Sequence, residues 1–135
     1  MAQNERPRRA GGVEPQLARH GGLTYLEIPA TDPARSAAFY ERIFGWRIDR
    51  RGDDDLRFAD ATGHLIGRWA TGRAISREAG LLPYIYVDGI HEAVELAGAN
   101  GGVVVSAIRN EGNLWVATIS DPAGNLIGLW QEQPA

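Results

Sequence analysis

Asp60-Ala61-Thr62-Gly63-His64-Leu65-Ile66-Gly67-Arg68-Trp69 returns 61 residues later as Asp121-Pro122-Ala123-Gly124-Asn125-Leu126-Ile127-Gly128-Leu129-Trp130. Six of the ten positions are identical, which marks an internal duplication. Each copy opens on an Asp-x-x-Gly turn and continues as an apolar run, the pattern of a turn that feeds a strand.

The segments upstream of the two copies also correspond. In the first half, residues 23–29 read as a strand. Asp32 then reads as a helix N-cap with Pro33 at the first helical position. Ser36, Phe39, Tyr40, Ile43 and Phe44 follow at helical spacing, and Gly45 supplies the stop. In the second half, residues 82–87 read as a strand and Asp88 as a cap. Ile90, Ala93, Val94 and Ala97 form the helical stripe, and Asn100-Gly101 ends it. Strand candidates follow each helix, at 46–50, 56–59 and 64–69, then at 103–108, 114–119 and 125–131. Each half therefore reads βαβββ, module one over about 23–70 and module two over about 81–131. Neither half is large enough to bury a full core alone, so the two should pair into one domain over 23–131. The fold class is α+β with a mixed, mostly antiparallel sheet.

Whole-chain properties narrow the function. The chain has 135 residues and a net charge of −3, so no basic footprint for nucleic acid or anionic membrane is present. It has no cysteine, which excludes disulfides and thiolate chemistry. No apolar run approaches the roughly 20 residues of a membrane span. The lack of cysteine and of a secretory leader points to the cytoplasm. Residues 1–22, with Arg8, Arg9, Arg19, Pro7, Pro15 and four glycines, show no apolar period and read as a flexible leader.

Asp32-Pro33-Ala34-Arg35-Ser36-Ala37-Ala38-Phe39-Tyr40 with Phe44-Gly45-Trp46, Val87-Asp88-Gly89-Ile90 with Gly101-Gly102, and Asp121-Pro122-Ala123-Gly124-Asn125 carry a family resemblance. Together they resemble the vicinal-oxygen-chelate (glyoxalase/bleomycin-resistance/dioxygenase) superfamily over residues 22–131. The resemblance implies a U-shaped sheet around a cavity and a homodimer. A short two-module sheet also exposes edges that a two-fold partner can cover.

Metal-using members of that family place ligands on the first and last strands of each module. Carried over residue by residue, those positions are Tyr25, Gly67, Leu82 and Gly128. This set does not hold a divalent ion in the usual way. His20, His64 and His91 do not converge by spacing. The expectation is therefore no metal and no cofactor.

Strand alternation assigns faces. Leu26, Ile28, Ile85 and Val87 should be core. Tyr25, Glu27, Leu82, Tyr84 and Tyr86 should face the cavity. Gly67 and Gly128 stand at ligand positions, so Trp69 and Trp130 should share the cavity face, and Trp115 is a further candidate. An aromatic wall with few polar groups suits a small aromatic or amphiphilic molecule. The expected ligand set is Tyr25, Glu27, Trp69, Tyr84, Tyr86, Trp115 and Trp130. Glu27 is the candidate acid or base, since a carboxylate in an aromatic pocket has a raised pKa. Its alternative role is to order the wall through a tyrosine hydroxyl. The first functional expectation is a metal-free small-molecule-binding protein. The alternative is a metal-independent lyase or isomerase using Glu27. Asp53-Asp54-Asp55 beside Gly52 reads as a solvated hairpin tip.

Overall fold

The computed structural model describes residues 15–52, 55–78 and 80–133. Most of the leader, and Asp53 and Asp54 of the acidic tip, lie outside them. The elements are β1 (Tyr25–Pro29), α1 (Pro33–Phe44), β2 (Arg47–Arg50), β3 (Leu56–Ala59), β4 (Ile66–Ala70), β5 (Tyr84–Tyr86), α2 (Ile90–Ala99), β6 (Val103–Glu111), β7 (Leu114–Ser120) and β8 (Leu126–Glu132). They form two four-stranded sheets, ordered β1-β4-β3-β2 and β5-β8-β7-β6. In each, the first and last strands of the module pair in parallel and the other pairs are antiparallel. This is the expected α+β pair of βαβββ units, but the two sheets stay separate rather than closing on one another.

Local chemistry sets the helix ends. Asp32 accepts from the Arg35 amide at 3.3 Å, and Pro33 opens α1. Gly45 closes it with φ 71°, its N–H bonded to the Glu41 carbonyl. An L side chain resists that left-handed φ, and glycine does not. The start of α2 departs from the expectation. Its N-cap is Gly89, not Asp88, and no side chain of the cap bonds the helix. The Ile90 amide instead donates to the Gln131 side-chain oxygen of β8 at 2.8 Å, a tertiary substitute for a local cap.

Each helix packs on one face of its own sheet. Under α1, Tyr40 stacks on Trp46, and Trp46 on Phe58, each at 4.6 Å between ring centroids. Phe58 meets Trp69 at 4.9 Å. Under α2, Ile90, Ala93 and Ala97 join Ala117, Ile119 and Leu129 in the core. The two modules meet where α1 contacts α2. A Cβ on Gly102 would stand 2.8 Å from the Phe39 ring, so glycine is what permits that approach.

The Asp121–Asn125 turn fastens the junction. Asp121 Oδ1 accepts from the amides of Ala123, Gly124 and Asn125, and Oδ2 accepts from the Tyr40 hydroxyl at 2.8 Å and from Asn125 Nδ2 at 2.9 Å. Asn125 Nδ2 also donates to the Pro29 carbonyl at 2.7 Å, and its oxygen accepts from the Ser76 amide. Second-module turn, first-module helix and linker thus share one buried network. Burial first, then the Asp121 carboxylate, pushes the Tyr40 hydroxyl well above its ordinary pKa, so it stays a protonated donor.

The two halves of the repeat are out of phase. Ala59 pairs with Ile66, leaving a six-residue loop over 60–65. Ser120 pairs with Leu126, leaving a five-residue loop over 121–125. One extra residue turns every following side chain to the other face. Gly67 pairs with Leu26 and Trp69 with Ile28, so both glycine and tryptophan face α1. Gly128 pairs with Tyr84 and Trp130 with Tyr86, on the sheet face away from α2. The first-module counterpart of Gly128 is therefore Arg68, not Gly67.

Candidate functional site

A cleft of about 930 Å³ separates the two modules. Both strands that border it, β1 and β5, are sheet edges. Because it runs along the edges, both faces of these strands reach it. Leu26 and Ile28 contribute from the helix side, and Glu27 from the open side. Ile43 and Phe44 of α1, Tyr84 and Tyr86 of β5, and Ala93 and Leu96 of α2 add apolar surface. Arg73 and Ser76 of the linker close one side. The cavity is thus a slot between two sheet edges rather than the hollow of one curved sheet. Its mostly apolar lining and few polar groups are what a small organic molecule requires.

Among the expected ligand residues, Glu27, Tyr84 and Tyr86 line this cleft. Tyr84 lies over Gly128, where a Cβ would stand 2.5 Å from its ring. Trp130 does not line the cleft but backs Tyr86 in an edge-to-face contact at 4.8 Å. Tyr25 lies on the open face of β1, about half exposed. Two placements are corrected. Trp69 is 2% exposed and sits in the aromatic core under α1, because the longer β3–β4 loop sets its phase. Trp115 faces α2, where its ring meets that of His91 at 6.3 Å. It shares that face with its pairing partner Gln131, which bonds the start of α2.

The surroundings of Glu27 also correct an expectation. No tyrosine hydroxyl bonds it. Its Oε2 accepts from Arg68 Nε at 3.0 Å, and its Oε1 from Arg73 Nη2. Arg68 is its direct neighbour across the β1–β4 pair. The Arg68 and then the Arg73 hydrogen bond hold the Glu27 carboxyl below its ordinary pKa, outweighing desolvation. A carboxylate held ionised by two guanidiniums is a weak proton acceptor at neutral pH. Neither arginine stands out in the sequence pattern. Arg68 alternates with Gly67 and Trp69 and so shares the open face with its cross-strand partner Glu27, a placement masked by the phase of the repeat. Arg73, 46 residues away in the linker, carries no signal.

The donor set does not fit a divalent ion. With the phase corrected, the four positions are Tyr25, Arg68, Leu82 and Gly128. Arg68 brings positive charge, and Glu27 has both oxygens engaged. Among the described residues, no group of three His, Cys, Asp or Glu side chains is placed to hold a metal. Nor does any helix there have the length and apolarity to cross a membrane.

Comparison with known proteins agrees with this architecture. A family model described as Glyoxalase/Bleomycin resistance protein/Dioxygenase superfamily matches residues 22–129. CFP32 of Mycobacterium bovis, which carries a provisional glyoxylase name, is 27% identical over 126 residues, covering 84% of this chain and 46% of that protein. The chain thus spans about half the length of the mycobacterial relatives it matches. A glyoxalase/bleomycin resistance protein/dioxygenase family enzyme from Burkholderia phytofirmans PsJN superposes with a TM-score of 0.68 at 19% identity, covering 82% of this chain and 98% of that one. TnmS3, an antibiotic binding protein from Streptomyces sp. CB03234, superposes with a TM-score of 0.62 at 21% identity, covering 84% and 97%.

Proposed function

The chain belongs to the glyoxalase/bleomycin resistance protein/dioxygenase superfamily, and from that premise we propose that it is a binding protein that holds a small aromatic or amphiphilic molecule in the β1–β5 cleft without a metal ion. The observation that carries this reading is the cleft itself, about 930 Å³ and walled by Tyr84, Tyr86 and aliphatic side chains. That volume lies within the range of small-molecule sites. The donor set at the family's ligand positions, with an arginine among them, supports the metal-free part. The antibiotic-binding fold relative TnmS3 makes sequestration of an organic compound a reasonable role for this chain. We further propose a cytoplasmic homodimer. Tyr25, outside the cleft, is about half exposed on the open face of the first sheet, where a second copy can cover it. The alternative, a metal-independent lyase or isomerase with Glu27 as acid or base, is disfavoured by the two arginines that keep Glu27 ionised.

The test is calorimetric titration with a neutral aromatic probe, 2-naphthalenemethanol. Saturable binding is expected, weakened roughly tenfold in the Tyr84→Ala/Tyr86→Ala double variant, as loss of two aromatic contacts implies. Absence of saturable binding, or a double variant that binds as the parent does, contradicts the proposal.

A further inference from the structure

Arg73 lines both the β1–β5 cleft and a smaller adjoining hollow, which it shares with Glu27, Arg68, Ala70, Thr71 and Gly72. Glu27 has each oxygen in one guanidinium bond. Arg68 gives its Nε to that pair, and Arg73 gives one terminal nitrogen. A guanidinium carries five N–H donors, so both arginines keep donors beyond those spent on Glu27. The three side chains together carry a net charge of +1. Glu27 therefore acts as a splint. It fixes the direction of two cations beside an apolar cleft, and Asp55, the further carboxylate that acts on Arg68, is itself paired with Arg57.

From this arrangement we infer that the ligand carries an oxyanion, such as a carboxylate or sulfonate, which docks on Arg73 and Arg68 while its apolar body fills the cleft. The inference rests on the proposed binding function and names the class of ligand for that site. Planar oxyanions match the guanidinium fork, and an arginine already oriented loses less freedom on binding. The remaining carboxylates on the cleft wall are Asp60, Asp88 and Glu92. Asp60 Oδ1 is taken by Thr62 Oγ1 and by the amides of Gly63 and Leu65. Asp88 and Glu92 flank the start of α2 and would favour a cationic ligand instead.

Three probes with one ring system separate the possibilities: 2-naphthoate, 2-naphthalenemethanol and protonated 2-naphthylmethylamine, titrated calorimetrically at neutral pH and low salt. The parent protein should bind the naphthoate about tenfold tighter than the alcohol, the size expected for a charge-assisted bond at a partly exposed site. Arg73→Gln and Arg68→Gln should each erase most of that preference for naphthoate over alcohol. If naphthoate and alcohol bind equally, or the amine binds best, the oxyanion inference is overturned while the binding function stands. A naphthoate preference that survives both arginine substitutions also overturns it. If none of the three binds, both readings fall.

Discussion

The two glycines of the repeat should respond unequally to the same substitution. A Cβ on Gly67 falls inside contact distance of the Leu26 carbonyl oxygen and 2.6 Å from the Phe58 ring. The carbonyl belongs to the β1–β4 pair, and Phe58 is packed between Trp46 and Trp69. Neither yields without moving backbone or core. Overpacking costs about 1–3 kcal/mol, and a backbone neighbour places Gly67→Ala near the top of that range, about 3 kcal/mol. A Cβ on Gly128 instead has atoms of the Tyr84 ring as its three nearest neighbours, and Tyr84 is 50% exposed. That ring can turn toward solvent, and alanine recovers roughly 0.5–1 kcal/mol of backbone entropy in a strand, so Gly128→Ala should cost below about 1 kcal/mol. At roughly 4 °C per kcal/mol for a domain of this size, Gly67→Ala should lower Tm by about 12 °C and Gly128→Ala by less than about 4 °C. Thermal melts and urea titrations of the two variants read this directly. Equal, small costs at both sites would refute the one-residue phase difference, because both glycines would then face open space.

Other substitutions probe the remaining contacts. Tyr40→Phe deletes a buried hydroxyl bonded to the Asp121 carboxylate and should cost about 1.5–3 kcal/mol in urea unfolding; a change under about 0.5 kcal/mol would show that the bond does not hold the modules. Asp32→Ala removes the α1 cap and should cost about 1 kcal/mol, while Asp32→Asn, which keeps the acceptor, should be near neutral by the same assay. For Glu27 the sign follows from its lowered folded pKa. The two arginines favour the carboxylate, so its contribution is present above the ordinary value of 4.5 and fades as pH falls through the lower folded value. Glu27→Gln should therefore narrow the acid-side loss of stability; an unchanged profile would mean that the ion pairs are absent in solution.

Much of the architecture was legible because it is local. Asp32-Pro33 and Gly45 bracket α1 through backbone chemistry that needs no distant partner, and Leu26 and Ile28 announce a buried face by alternation. The duplicated Gly-x-Trp segments were misleading for a physical reason. Gly67-Arg68-Trp69 can sit on a sheet in either phase, and the loop of 60–65, one residue longer than 121–125, is not visible as an insertion when the flanking identities align without a gap. That single residue sends Trp69 to the core and brings Arg68 beside Glu27. The cap of α2 escaped notice because Gln131 supplies it from 41 residues away. Alternation does not separate cleft from core along this edge, since Tyr84, Ile85, Tyr86 and Val87 all line the cleft, and Arg73 comes from a linker with no period to read.

The most direct test of the central claim is elemental analysis of the protein after equilibration with excess zinc and manganese and removal of free ions, with 2-naphthalenemethanol titrated into the same sample. The account predicts metal well below one ion per chain and unchanged probe binding before and after chelator treatment. Metal near one per chain, with binding that disappears on chelation, would contradict it.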